Sequence, residues 1–500
     1  MNGSPSPNFL VHMRARDLLL TLDDSPELSL GQRIVNALHR AILEGRLTPG
    51  TALPGSRVLA DRLGVHRQTV VSALQDLEAQ GWLVTLPNRG TFVAEELPSQ
   101  AKRSRVAEPT QGSTSVGFDL PSLLQPVSTH PSGALLLADG AADPRLAPAV
   151  ELSRGYQRAM LRHGSKLLQD RDPLGTPLLR ETLAAWISER HGIRVEPERI
   201  LITRGSRGAL NLVAHSLFRP NDLAAVENPG NRGAWDIFQR DARLGLRPVP
   251  IDQEGMDPIA LEELLTRERI RLLFLMARRQ FPTGASLSRK RGAAILSLAQ
   301  KYRLAVVEDD YDGEFTYTDQ RPEPLLAQDT TGQVLHIGSL SRLLAPGLRL
   351  GYMVFPAALS PILARVRRNL DEHGDPVLEW ALADLIRDGE LARHLRKTRK
   401  IYMSRRDHLV ALLRDRLGDH LDVDVPEGGM GLWIHVRPGI DPDAWIRSAR
   451  AHGLVLNSPS HFFLGTPEPA FRMGFAQANE GELQDAVERL ARALTAIQGS

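Results

Sequence analysis

Five hundred residues, 42% hydrophobic and 24% charged, describe a folded chain with apolar material for more than one core. Basic and acidic residues number 61 and 59, so a nucleic-acid surface must be a local patch. Cys is absent, which excludes disulfides, thiolate nucleophiles and cysteine zinc sites. No leader pattern and no run of about 18 apolar residues is present, so the expectation is a cytoplasmic protein without membrane contact.

Residues 28–95 read as a self-contained module. Ser29 and Gln32 fit a capping box ahead of Ile34, Leu38 and Ile42. After the break at Pro49-Gly50, Ser56 is expected to cap a short helix that Gly64 ends. A third helix is predicted from Arg67, with Val70, Leu74 and Leu77 inward and Gln68, Thr69, Ser72 and Gln75 outward. Trp82–Leu86 and Thr91–Val93 read as strands around Pro87-Asn88-Arg89-Gly90.

Three helices and a hairpin make a winged helix-turn-helix, a reader of double-stranded DNA. Arg57 and Arg67 stand at helix starts, where dipole and side chain both favour phosphate. His66, Gln68 and Thr69 open the recognition helix, whose first residues reach base edges, and Arg89 tips the wing. Leu53-Pro54-Gly55-Ser56-Arg57, the stretch Leu63–Val70 and the wing Asn88–Val93 together resemble the GntR-type DNA-binding domain.

Residues 96–135 are rich in Ser, Pro, Gln and Thr and read as a linker. Its basic knot, Lys102, Arg103 and Arg105, fits a solubilising charge run better than a further DNA contact. From 136 to 500 apolar strands alternate with amphipathic helices. The predicted strands are Ile200–Thr203, Leu223–Glu227, Leu272–Met276, Leu304–Val307 and Val334–Ile337. That pattern is a doubly wound α/β unit, whose ligands bind beyond the carboxyl ends of the strands. A smaller α+β subdomain is expected over about 400–498.

Several motifs in chain order resemble the class I aminotransferases of the pyridoxal-phosphate-dependent fold-type I group. They are Asp172-Pro173-Leu174-Gly175, Glu227-Asn228-Pro229-Gly230, Gln280-Phe281-Pro282-Thr283-Gly284, Glu308-Asp309-Asp310-Tyr311-Asp312 and Pro346-Gly347-Leu348-Arg349-Leu350-Gly351-Tyr352. Joined to a GntR-type module, the chain is similar to MocR/GabR-type transcriptional regulators. The resemblance implies that Asp309 partners the cofactor's ring nitrogen and Tyr311 its phenolic oxygen. It assigns Ser206 and Arg349 to the phosphate and Arg472 to a substrate carboxylate, and it implies a head-to-tail homodimer.

The same resemblance marks losses. In Gly338-Ser339-Leu340-Ser341-Arg342, Arg342 stands where the family has its Schiff-base lysine. A guanidinium stays protonated and is a poor imine-forming nucleophile. Asn231, Asp170, Arg207-Gly208 and Arg278-Arg279 replace further family residues. If the family geometry holds, Arg207, Arg279, Arg342 and Arg349 approach one cleft, with Arg472 on its rim.

Two resolutions follow: Arg342 pairs with Asp309 or Asp310 as an internal ligand mimic, or the cleft binds a multiply charged anion. The favoured reading is a regulator that senses an anionic effector through Ser206, Arg207, Asp309, Tyr311, Ser339, Arg342, Arg349 and Arg472. Its rivals are a pyridoxal-phosphate enzyme, with cofactor held noncovalently or residual activity, and a ligand-free dimeriser. No metal is expected.

Overall fold

The computed structural model describes residues 20, 22, 28–87, 89–98, 133–169 and 172–499. Asn88, Asp170 and most of the 96–135 segment, its basic knot included, lie outside them. The chain divides into two units, 1–127 and 128–500.

In the first unit, α1 (Leu30–Leu43) opens on the expected capping box. Ser29 Oγ accepts from the Gln32 amide at 3.3 Å, and Gln32 Oε1 from the Ser29 amide at 3.1 Å. The next helix, α2 (Ser56–Leu63), has Gly55 as its N-cap and no side-chain cap. Ser56 is instead the first helical residue, and its hydroxyl accepts from Arg67 Nε at 3.3 Å. The expected cap is thereby a tie between two helix starts. Gly64 closes α2 in the left-handed region, φ 63°. Helix α3 (Arg67–Ala79) is capped by His66, whose Nδ1 accepts from the Gln68 amide at 3.3 Å. Strands β1 (Leu83–Leu86) and β2 (Gly90–Val93) pair antiparallel, Leu83 opposite Val93. Ile34, Leu38, Leu59, Val70, Leu77 and Val93 meet in one core.

The second unit is built on a mixed sheet. Its strands are β3 (Ile200–Thr203), β4 (Leu223–Asn228), β5 (Gly245–Asp252), β6 (Ile270–Leu275), β7 (Ala305–Asp310), β8 (Val334–Gly338) and β9 (Gly351–Val354). They run in the order β3-β9-β8-β7-β6-β4-β5, and the two-residue strand Gly255–Met256 lies at the edge. Strands β8, β7, β6, β4 and β5 are parallel in turn, while β9 is antiparallel to both neighbours.

Besides the two-residue edge strand, two strands of this sheet escaped the sequence reading, for separate reasons. Pro248 and Pro250 break the apolar run of β5, and proline is confined to places where no ladder donor is needed. β9 is four residues long and hidden in a motif. Strand β7 also runs past its apolar stretch to Asp310, with Asp309 paired opposite Ile337 and Asp310 opposite Gly338 of β8.

Helices Gly205–Leu217, Pro258–Arg267 and Arg289–Tyr302 lie between successive strands, as connections between parallel strands require. Helix Glu390–Leu417 leads into a three-stranded antiparallel sheet of Leu421–Asp424, Gly431–Val436 and Ala470–Gly474. Helix Glu480–Gln498 ends the small subdomain.

Candidate functional site

A cavity of about 300 Å³ opens where β3, β4, β7 and β8 end, and Ser206, Arg207, Asp309, Tyr311 and Arg342 line it. Asp309 is 3% exposed, and its Oδ1 has no hydrogen-bond partner among the described residues. Burial first, then the charge of Asp310, pushes its carboxyl up to about 7, against the opposing pull of Arg342 and His336. The result is a buried carboxyl near its midpoint at neutral pH with one oxygen unclaimed.

Ser339 caps the four-residue helix Leu340–Leu343, its hydroxyl accepting from the Arg342 amide at 3.3 Å. The Arg342 guanidinium lies over the Tyr311 ring, 5.1 Å from its centre, and Nη1 donates to the Gly140 carbonyl at 3.0 Å. Among the described residues it forms no ion pair with Asp309 or Asp310, contrary to the internal-mimic expectation. Asp310 is already taken: Arg278 Nη1 donates to it at 2.7 Å and to Glu314 at 3.0 Å, and Arg278 Nη2 donates to the Gly313 carbonyl at 2.7 Å.

The expected convergence of arginines is narrower than the motifs implied. Arg207 and Arg342 line the cavity, joined by Arg232. Arg278 is the centre of a buried ion network, and Arg279 lines a different cleft, toward the small subdomain. Arg349 is exposed at φ 48° and reaches the start of helix Gly205–Leu217, where Nη2 donates to the Arg204 carbonyl at 3.4 Å. Gly205, at φ 70°, holds the left-handed backbone that favours glycine at this helix start.

Arg472 is not on a rim. It is 2% exposed, donates to the Pro282 carbonyl at 2.6 Å and to the Tyr311 hydroxyl at 3.2 Å, and stacks over Phe281. That hydroxyl therefore serves a protein partner, and burial holds its pKa well above the ordinary value. Asn231, in place of an aromatic ring, caps helix Arg232–Asp236 by accepting from Gly233 at 2.9 Å and Ala234 at 3.3 Å.

Sequence reasoning missed Asp139, Arg232, Asn457 and His461 in the cavity wall. None belongs to the motifs: Asp139, Asn457 and His461 come from segments remote in sequence, and Arg232 directly follows Asn231. Ser341, inside the Ser339–Arg342 stretch, was given no role of its own. Its hydroxyl both donates to the Leu350 carbonyl and accepts from the Leu350 amide, which pins the 346–352 motif to the end of β8.

On the first unit, Arg57, Arg67, Gln68 and Arg89 are exposed. His66 is exposed too, but one ring nitrogen is committed to the cap. Thr69 is half-buried, its methyl 3.9 Å from the place a Gly31 Cβ would take, so it packs on α1 as well as facing out. A groove of about 690 Å³ between α2, α3 and the wing is lined by Ser56, Arg62, Gln75, Glu78 and Arg89. Glu78 braces the wing, accepting from the Thr85 amide at 2.9 Å and hydroxyl at 3.0 Å.

The model of the gntR family of bacterial regulatory proteins matches residues 30–93, and that of aminotransferase class I and II matches residues 150–490. The chain is 28% identical to the probable rhizopine catabolism regulatory protein MocR of Rhizobium meliloti, over 96% of this chain and 97% of that protein. It is 29% identical to the HTH-type transcriptional regulator TauR of Rhodobacter capsulatus, over 93% and 96%. Its fold is similar to that of LysN, the α-aminoadipate aminotransferase of Thermus thermophilus complexed with N-(5'-phosphopyridoxyl)-L-leucine. That likeness has TM-score 0.68 and 28% identity, covering 74% of this chain and 94% of that one. The kynurenine aminotransferase of Pyrococcus horikoshii, in complex with PMP, gives TM-score 0.68 and 27% identity over 73% and 92%. With a model spanning most of its length and a DNA-binding module ahead of it, the chain belongs to the class I and II aminotransferase family, in the form fused to a gntR-family helix-turn-helix domain.

Proposed function

We propose that this protein is a DNA-binding transcriptional regulator whose aminotransferase-like unit receives a small anionic effector and pairs with a second copy head to tail. Arg342 carries the reading. A cation that cannot form an imine occupies the position of the family's attachment residue, and its guanidinium is held over Tyr311 at the cavity wall. The exposed arginines of the first unit supply the output, and the two full-length relatives are named as regulators. A cytoplasmic location agrees with this role, and no described helix is long and apolar enough to cross a membrane.

The unclaimed Oδ1 of Asp309 favours a second element, a cofactor ring held without a covalent bond. Pyridoxal phosphate or pyridoxamine phosphate would be met by Asp309 at a ring N–H and by Ser206 and Arg349 at the phosphate. When bound, that group supplies an electron sink. Arg342 does not fit covalent attachment, so this chain's residues hold and orient rather than carry the group.

The test is titration calorimetry of the full chain with phosphate esters and with di- and tricarboxylates, run beside DNA-binding anisotropy. Heat from one of these anions, with a matching change in DNA affinity, is expected. No heat across the panel and unchanged DNA binding would reduce the unit to a dimeriser.

A further inference from the structure

A separate cavity, of about 740 Å³, lies at the edge of the large sheet opposite Asp309, where β4 and β6 begin rather than end. Helix Gly205–Leu217 ends at it, and the turn Arg219–Asp222 joins that helix to β4. Two bonds fix the turn. The Asp222 carboxylate accepts from the Arg219 amide at 2.9 Å, and Asn221, at φ 74°, donates its amide to the Arg243 carbonyl at 2.9 Å. Arg219 is thereby held at the cavity wall. Arg269 and Arg271 stand on either side of the buried Ile270 at the start of β6, and residues two apart on an extended chain share a face. All three arginines are exposed and line the cavity.

Their lack of partners sets them apart from their neighbours. Glu263 is taken by Arg267 at 3.6 Å and Glu268 by Arg247 at 2.7 Å, so the carboxylates nearest in sequence are already engaged. Arg219, Arg269 and Arg271 have no side-chain hydrogen bond or ion pair among the described residues. Among the described residues of the lining Asp222 is the one carboxylate, and one of its oxygens serves the turn. Three guanidiniums against one carboxylate leave a surplus of two positive charges in a concave site, where like charges repel and anions are concentrated. A monoanion would leave part of that surplus unmet. A chain of phosphates matches it, since a guanidinium fork spans two phosphate oxygens. Leu217, Phe218 and Leu223 complete the wall, and such a recess suits a small molecule that enters it better than a duplex that lies across it.

We propose that this cavity is a binding site for a short polyphosphate chain, free or as the tail of a nucleotide, held by Arg219, Arg269 and Arg271. The site is separate from the cavity of Asp309 and Arg342, and it stands whether or not that cavity takes an anion.

The experiment is titration calorimetry of the full chain, at physiological ionic strength, with inorganic triphosphate, ATP and inorganic phosphate. Triphosphate is expected to bind at least about tenfold tighter than phosphate. ATP binding equal to that of triphosphate identifies the phosphate chain alone as the recognised part, and tighter binding adds the nucleoside, seated on the apolar wall. The double variant Arg269→Gln/Arg271→Gln, at two exposed positions, is expected to weaken triphosphate at least about tenfold. The triple variant Arg396→Gln/Lys397→Gln/Lys400→Gln removes three exposed charges from helix Glu390–Leu417 and is expected to leave the affinity as it was. Arg342→Gln, in the other cavity, is expected to leave it too. The proposal is overturned if phosphate binds as tightly as triphosphate, or if neither triphosphate nor ATP binds. It is equally overturned if the triple variant weakens binding as much as the double variant, which would mark diffuse attraction, or if Arg342→Gln abolishes binding and so places the ligand in the first cavity. A double variant that keeps its triphosphate affinity but shows a lower salt slope of DNA binding would give these arginines to a duplex and overturn it as well.

Discussion

Arg342 lies across the face of Tyr311, its guanidinium carbon 5.1 Å from the ring centre, and is anchored by the Gly140 carbonyl at 3.0 Å. A flexible amine would not span these partners in the same way, because only the planar fork both stacks and donates sideways. The neighbouring Asp309 is left with an unclaimed oxygen.

The substitution Arg342→Lys tests what remains of the pocket. With Asp309, Tyr311 and Ser206 still in place, the variant is expected to form a covalent adduct with added pyridoxal phosphate. Borohydride reduction followed by intact mass measurement reads it directly. The wild type is expected to show no such mass increase at this site.

Asp309 gives a second test, with pyridoxamine phosphate as the probe. Asp309→Ala removes the oxygen that would face the ring N–H, and the affinity is expected to fall by about tenfold or more, the cost of one charge-assisted hydrogen bond. Fluorescence titration of the full chain measures it. An unchanged affinity would place the probe elsewhere.

Glu227 is wholly buried, and its carboxyl is pushed up to about 8 by desolvation, although Gln280 and the Met276 amide favour its charged form. A raised carboxyl pKa means that the folded state holds the proton more tightly than the unfolded one. The associated stability is full below the unfolded value of 4.5 and is lost as pH rises through about 8. Glu227→Gln cannot ionise. It is expected to match wild type near pH 4.5 and to exceed it at pH 9 by about 5 kcal/mol, measured as a difference in thermal midpoint at the two pH values.

Arg278 joins Asp310 and Glu314, and Glu314 is also met by Arg190 and by His191 at 3.1 Å. The His191 hydrogen bond and the charges of Arg278 and Arg190 hold the Glu314 carboxyl far below its ordinary range against the cost of its burial. Arg278→Met would leave two buried carboxylates without their shared cation, a loss of about 3–5 kcal/mol. Differential scanning calorimetry is expected to show the transition of the large unit shifted down and that of the DNA-binding module unchanged.

His66 has a structural duty within the recognition helix. His66→Ala removes the cap on the Gln68 amide and is expected to cost about 1 kcal/mol of module stability, whereas His66→Asn retains it. Arg89→Ala, by contrast, is expected to leave stability unchanged and to lower the salt slope of DNA binding by about 1. Thermal unfolding and anisotropy at several salt concentrations separate the two effects.

Much of the DNA-binding module was legible because its signals are local. The Ser29–Gln32 box, the glycine that ends α2 and the Val70–Leu77 spacing each act within a turn or two of chain. Ser56 shows where local reading stops: a capping residue type can be claimed by Arg67, eleven positions away, before it caps anything. The strands read well where both faces are apolar. β5 did not, because its prolines contradict the pattern, and β7 was cut short where Glu308, Asp309 and Asp310 replace apolar side chains, Glu308 being held by His336 on the next strand.

By itself the sequence determined the order of the two units and the α/β class of the second, since these depend on residue identity and short-range periodicity. Only the tertiary structure decided which arginines share a cavity. Charge is long-ranged, but pairing needs contact within a few ångströms. Thus Arg278 went to Asp310 and Glu314, Arg472 to Tyr311 and Pro282, and Arg279 to a second cleft. Arg342 was left on the face of Tyr311, beside a carboxylate it does not touch.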